Sequence, residues 1–223
     1  MEENLENFEQ PKPQGTLHPE KIHVFTERNW KEYLGESLLI IFSVLLALFT
    51  TEYINKKHEE KNTKTILVSV ANELKHNKVA ILEMQEYNSK VLANIDSLVA
   101  NKNSQSALVS NDEFNLKLIA PQGALYRYLD DEAWTIAKNN NIMTKIDVHS
   151  AAMLFKVYED QGRIGKVEDE VAKIILGRDS RDPMKIHATL ILIRDVYHGW
   201  AVDRAPGLLV QIDTAIKTIS ESD

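Results

Sequence analysis

Two stretches of the sequence place a carboxylate three residues before a histidine: Glu73-Leu-Lys-His76 and Asp195-Val-Tyr-His198. On a helix, residues i and i+3 share a face, so each pair sets an oxygen beside an imidazole nitrogen, as half of a metal site in a helical bundle does. A di-iron centre needs two Glu-x-x-His pairs and two more Glu on facing helices. Here one pair carries Asp, and His187 and Asp182 are the obvious extra ligands. Isolated acid–His pairs at this spacing more often serve as surface pairs or caps. Glu73, His76, Asp195 and His198 are therefore weak metal candidates, and no metal or cofactor is expected. The absence of cysteine excludes a thiol nucleophile, a disulfide framework and a thiolate zinc site. No G-x-S-x-G, Walker, H-E-x-x-H or G-x-G-x-x-G pattern occurs. Gly177-Arg-Asp-Ser-Arg-Asp182 sets two Arg before a helix start, the make-up of an anion cradle but also of an ordinary solvated loop. No catalytic constellation emerges, and an enzyme is not expected.

The elements that would position these residues follow from composition. The chain has 223 residues, 43% hydrophobic, enough for one ordinary domain and an appendage. Residues 1–51 hold 4 basic and 8 acidic residues (−4), 52–100 hold 7 and 7 (0), and 101–223 hold 15 and 18 (−3). No part is basic, so nucleic acid is excluded as a partner. Residues 1–32 are polar and hold three of the six prolines, reading as a flexible tail.

Ser37–Thr51 is apolar on every side, lacks Gly and Pro, and is bounded by Glu36 and Glu52. Those residues rise ~22 Å as a helix; extension to Tyr33 and Ile54 gives ~33 Å, enough for a hydrocarbon core of ~30 Å. Trp30, Tyr33 and Tyr53 fall where interfacial aromatics belong, and the two Glu can snorkel. Residues 33–54 are predicted as one uncleaved transmembrane helix, because a core helix would show a polar stripe and a signal peptide a cleavage site. Lys21, Arg28 and Lys31 precede the span, and Lys56, Lys57, Lys61 and Lys64 follow it, which leaves the side of the soluble part undecided. Ser43, Ala47 and Thr51 recur at i+4 spacing, a stripe that permits close backbone approach and interhelical hydroxyl bonds. A homo-oligomer, or pairing with another membrane protein, is the expectation.

Residues 55–100 read as an amphipathic, coiled-coil-like stalk. Leu67, Leu74, Ile81, Asn88 and Ile95 occupy a positions, and Val70, Asn77, Met84, Val91 and Leu98 occupy d. Asn77 and Asn88 resemble register-fixing polar residues. Flanking Ile66, Ala71, Ala80, Tyr87, Leu92 and Val99 widen the stripe, which suits packing on the chain's own domain for the C-terminal half. Residues 101–223 are predicted as a helical bundle on that stalk. Asn101–Ser110 reads as a loop, and Ser110-Asn-Asp-Glu113 as a capping box before an FNLKLIA helix. Asp130 or Asp131 caps a helix through Lys138, ended by Asn139-Asn-Asn141. Further helices are expected from Asp147 to Gly162, from Ile164 to Gly177, from Asp182-Pro183 to Trp200, and beyond Pro206-Gly207. Trp134, Tyr158 and Trp200 read as core or rim aromatics, with Trp134 a buried anchor. The expected fold class is all-α: a transmembrane helix, a stalk helix and a small bundle.

Several stretches taken together resemble a large group of uncharacterised bacterial single-pass membrane proteins. Arg28-Asn-Trp-Lys-Glu-Tyr-Leu-Gly-Glu36 leads into the apolar run as the N-terminal anchor of that group does. Glu73-Leu74 with Asn77, the box Ala133-Trp134-Thr-Ile-Ala137, and Tyr158-Glu-Asp-Gln161 match three later features. The resemblance covers residues 28–161 and departs at Asn139-Asn-Asn141, where the group often has Gly. It implies a bacterial inner-membrane protein and carries over no active residues. The expected function is a membrane-anchored helical interaction or scaffold module with the lipid bilayer as one partner. The alternative is a membrane-bound enzyme built on the acid–His pairs.

Overall fold

A computed structural model describes residues 30–221. Among them are five α-helices: α1 (Trp30–Ala100), α2 (Glu132–Asn139), α3 (Val148–Leu176), α4 (Ile186–Val196) and α5 (Ala205–Glu221). The sheet structure among the described residues is one hairpin of β1 (Val109–Ser110) and β2 (Glu113–Phe114). The fold is all-α. Of the expected polar tail, residues 1–29 lie outside the described part, while Trp30, Lys31 and Glu32 are helical.

The chain divides into two units, 1–54 and 55–223. In the first, every described side chain is exposed, Phe42 at 66% and Phe49 at 67%. A helix satisfies its own backbone hydrogen bonds and needs no neighbour for that purpose. This stretch of α1 is long and apolar enough to cross a membrane.

In the second unit, α1 buries one face. Val70, Leu74, Asn77, Ile81, Met84, Asn88, Val91 and Ile95 are buried; Leu67 and Leu98 at the ends are half-buried. The seam is covered by the chain itself: Leu74, Ile81 and Ile95 share one core with Trp134, Leu154, Val167, Leu190 and Ile212. Intramolecular packing is thus what the wide apolar stripe encodes.

Several local expectations are corrected. Ser110-Asn-Asp-Glu113 is not a capping box but the turn of the hairpin, with Val109 paired to Phe114 and Ser110 to Glu113. Asn111 (φ 52°) and Asp112 (φ 59°) both take the left-handed conformation that such two-residue turns require. The following segment makes a short 3-10 turn, Leu116–Leu118, in place of a helix, and the loop after α1 is itself a 3-10 stretch, Lys102–Leu108. Gly162 does not stop a helix: α3 runs through Gly162 and Gly165, held by the buried Tyr158, Gln161, Ile164 and Val167 around them. α4 starts at Ile186, after a turn in which the Met184 amide donates to Asp182 Oδ1 at 2.9 Å. It ends at Val196 and widens into a π-helical turn, Tyr197–Val202. Pro206 and Gly207 lie in the first turn of α5, where the missing proline N–H leaves no bond unmade.

The segment between the hairpin and α2 has little regular structure, and two buried tyrosines pin it. Tyr87 Oη donates to the Gly123 carbonyl at 2.7 Å and accepts from the Gln122 amide at 3.2 Å. Gly123 has φ 95°, so the turn it closes is open to glycine and strained for other residues. Tyr197 Oη donates to the Ala124 carbonyl at 2.7 Å.

Candidate functional site

The polar centre of the second unit is built around Glu73 on α1. Its Oε2 accepts from the Ala133 amide at 2.7 Å and its Oε1 from the Trp134 amide at 3.2 Å. These are first-turn amides of α2, which have no partner within their own helix. Asp131, at the N-cap position of α2, makes no side-chain cap bond. The cap is therefore supplied in trans, by a carboxylate 60 residues upstream. Tyr158 Oη on α3 donates to the same Oε1 at 2.6 Å. Burial, then the Glu73 carboxylate, hold the Tyr158 phenol far above its ordinary range, so it stays protonated as the donor.

One turn along α1, Asn77 works as a bracket. Its Oδ1 accepts from the Asp130 amide at 2.9 Å, and its Nδ2 donates to the Asp130 carbonyl at 2.7 Å and to Gln161 Oε1 at 3.1 Å. A polar residue at this heptad position suggests a register-fixing role in a seam; the Asn77 side chain instead ties two other elements to α1. Above these bonds Trp134 stacks on Tyr158 (centroids 4.7 Å, planes 4° apart) and meets Phe155 edge-on at 4.9 Å. At 4% exposure Trp134 is the buried anchor expected of it. Glu73, Asn77, Trp134, Tyr158 and Gln161, which carried the resemblance from three separate stretches, thus meet at one junction of α1, α2 and α3.

Beside this junction lies a cleft of about 480 Å³. Phe155, Tyr158, Gly162 and Gly165 share a face of α3 and line it, opposite Leu125, Tyr128 and Leu129. Tyr128 reaches across to α3, its hydroxyl 2.5 Å from Glu168 Oε2. Both glycines sit deep inside α3, where each is less favourable than alanine by ~0.5–1 kcal/mol. Beyond its own stretch of helix backbone, neither has an atom within 4 Å of where a Cβ would stand, so contact with a neighbouring element does not account for them. Gln161 also lines the cleft; the residue is 5% exposed and its Nε2 has no hydrogen-bond partner among the described residues. Two other clefts, of about 620 and 770 Å³, have charged linings that include the ion pairs Lys145–Glu59 at 2.8 Å and Arg163–Glu159 at 2.6 Å.

The acid–His pairs do not come together. Glu73 is engaged as a cap, while His76 Nδ1 lies 2.8 Å from Asp130 Oδ2. His198 faces Asp203 at 3.6 Å, and Asp195 lies 3.8 Å from Arg194. Among the described residues no group of three or more His, Cys, Asp or Glu side chains is placed to hold a metal. The Gly177–Asp182 stretch is a closed loop: Ser180 is buried and donates to the Ile175 and Gly177 carbonyls, and Asp179 pairs with Lys185. On the apolar stretch, Ser43 donates to the Leu39 carbonyl at 2.7 Å and Thr51 to the Ala47 carbonyl at 2.8 Å. Those protons are spent inside the helix, so the stripe through Ala47 offers shape before it offers hydrogen bonds.

The glycine floor of the cleft is hidden in the local sequence, because Gly162 by itself has the character of a helix stop. The signal was present: Phe155, Tyr158, Gly162 and Gly165 recur at i, i+3, i+7 and i+10 on one face. Compared with known protein families, with curated proteins and with solved structures, the chain matches none.

Proposed function

We propose that this protein is a membrane-anchored helical interaction module and not an enzyme. The observation that carries the reading is the contrast in how polar and apolar groups are spent. The apolar stretch of α1 has all its side chains exposed, and apolar surface of that extent marks a membrane or partner contact. The titratable groups at the junction are engaged in holding elements together, with Glu73 accepting three hydrogen bonds. In this reading the bilayer is the first partner and the bacterial inner membrane the location. A second copy of the chain associates along the Ser43–Ala47–Thr51 stripe, by close backbone approach.

Mass measurement of the full chain in detergent, beside Ala47→Ile, tests the association. The expected result is a dimer or small oligomer that Ala47→Ile dissociates by separating the backbones. A strictly monomeric wild type removes self-association and leaves an anchor for a different partner.

A further inference from the structure

We propose that the cleft floored by Gly162 and Gly165 is a binding site for a small planar aromatic acid. The site does not depend on how the protein is anchored. Three observations converge on it. First, two helix-interior glycines, unfavourable where they stand and unexplained by any neighbour, both face the same cleft and keep its floor bare. A missing side chain at both positions leaves a slot in which a flat molecule can lie against the helix backbone. Second, the walls are aromatic and aliphatic: Phe155 and Tyr158 continue the α3 face, and Tyr128, tied to Glu168, stands opposite with Leu125 and Leu129. Flat π-systems stack on such walls. Third, the polar groups ask for an acceptor. Gln161 is buried with its Oε1 committed to Asn77 and its Nε2 without a partner among the described residues. At the rim, Lys138 makes no ion pair among the described residues and stands 5.6 Å from the Trp134 ring centroid. Of the other charges lining the cleft, Arg127 and Glu159 are already paired with Glu83 and Arg163, and Asp131 sits at the start of α2 without a side-chain cap bond. A carboxylate accepts from the Gln161 amide and is attracted by Lys138; its aromatic body fills the slot. A half-open cleft of about 480 Å³, bounded by α2, α3 and the 125–129 segment, suits a small molecule better than a partner helix.

The test is equilibrium dialysis of 2-naphthoate against the full chain in nanodiscs, with protein-free nanodiscs subtracted. The expected result is saturable binding of one molecule per chain below millimolar concentration. Gly165→Leu, which fills the slot, weakens binding at least tenfold without lowering the melting temperature. Gln161→Glu keeps the oxygen that Asn77 binds but turns the donor into a second acceptor, and it also weakens 2-naphthoate at least tenfold. Naphthalene, which lacks the acceptor, binds wild type and folded Gln161→Glu alike. Should Gln161→Glu not fold, Gly165→Leu and Gly162→Leu decide the matter. Non-saturable uptake by wild type, or undiminished binding by the folded glycine variants, overturns the proposal.

Discussion

α1 carries two stretches of opposite design. Between Ser37 and Thr51 the apolar residues surround the helix, every side chain is exposed, and the Ser43, Thr50 and Thr51 hydroxyls bond to their own backbone. Between Ile66 and Ile95 most apolar residues keep to one side, and two polar residues beside them bond outward to other elements, Glu73 to α2 and α3 and Asn77 to Asp130 and Gln161. An apolar surface without a polar stripe calls for an apolar environment outside the chain. A stripe with polar hooks is satisfied by the chain's own domain. Hydrophobic content alone does not separate a span from a core helix; the arrangement of the polar minority does.

The broadest way to break this comparison is to delete residues 37–51. The variant is expected to move wholly from the carbonate-resistant membrane fraction to the soluble fraction; retention in membranes would refute the anchor. The second stretch is probed through its partners. Trp134→Ala removes the ring stacked on Tyr158 and is expected to lower unfolding free energy by ~3–5 kcal/mol in urea titrations. A stable, folded Trp134→Ala protein that lost only a binding activity would make Trp134 a contact residue instead.

Glu73→Ala strips the trans cap from α2 and leaves the Tyr158 hydroxyl and two amides without their acceptor. A loss of ~2–3 kcal/mol is expected by the same measurement. If Glu73→Ala proved neutral, the polar hooks would be incidental. Gly162→Ala and Gly165→Ala should act in the opposite direction, each raising stability by ~0.5–1 kcal/mol, since a Cβ meets nothing there. A drop in melting temperature for either would show that α3 needs its bare face in order to fold.

The smallest effect sharpens the comparison to two helix starts. Asp147 caps its own helix, accepting from the Ser150 amide at 3.0 Å, whereas Asp131 caps nothing. Asp147→Ala should lower the melting temperature at neutral pH more than Asp131→Ala. Hydrogen bonds from Ser150 lower the Asp147 pKa, so its contribution is full above the ordinary aspartate value. That contribution fades as pH falls through the depressed folded-state value, and the gap between wild type and Asp147→Ala should close in acid. A gap independent of pH would show that the carboxylate charge plays no part.

Local sequence determined much of this protein. The uninterrupted apolar run, the heptad-spaced face from Leu67 to Leu98, the Asp147 start and the Gly177 stop could all be read, because side-chain periodicity and caps act within a few residues. The junction could not. That Glu73 caps α2, that Asn77 brackets Asp130, and that Gly162 and Gly165 lie inside a helix beside a cleft are facts about partners more than 20 residues apart. In isolation Gly162 reads as a breaker and Ser110–Glu113 as a cap, since a backbone preference of about 1 kcal/mol is all the local sequence holds. Tertiary packing outweighs a preference of that size: the buried Tyr158, Ile164 and Val167 carry α3 through its glycines, and the pairing of Val109 with Phe114 closes the hairpin. Periodicity over many residues survives the fold unchanged, whereas single-residue signals are decided by what the fold brings beside them.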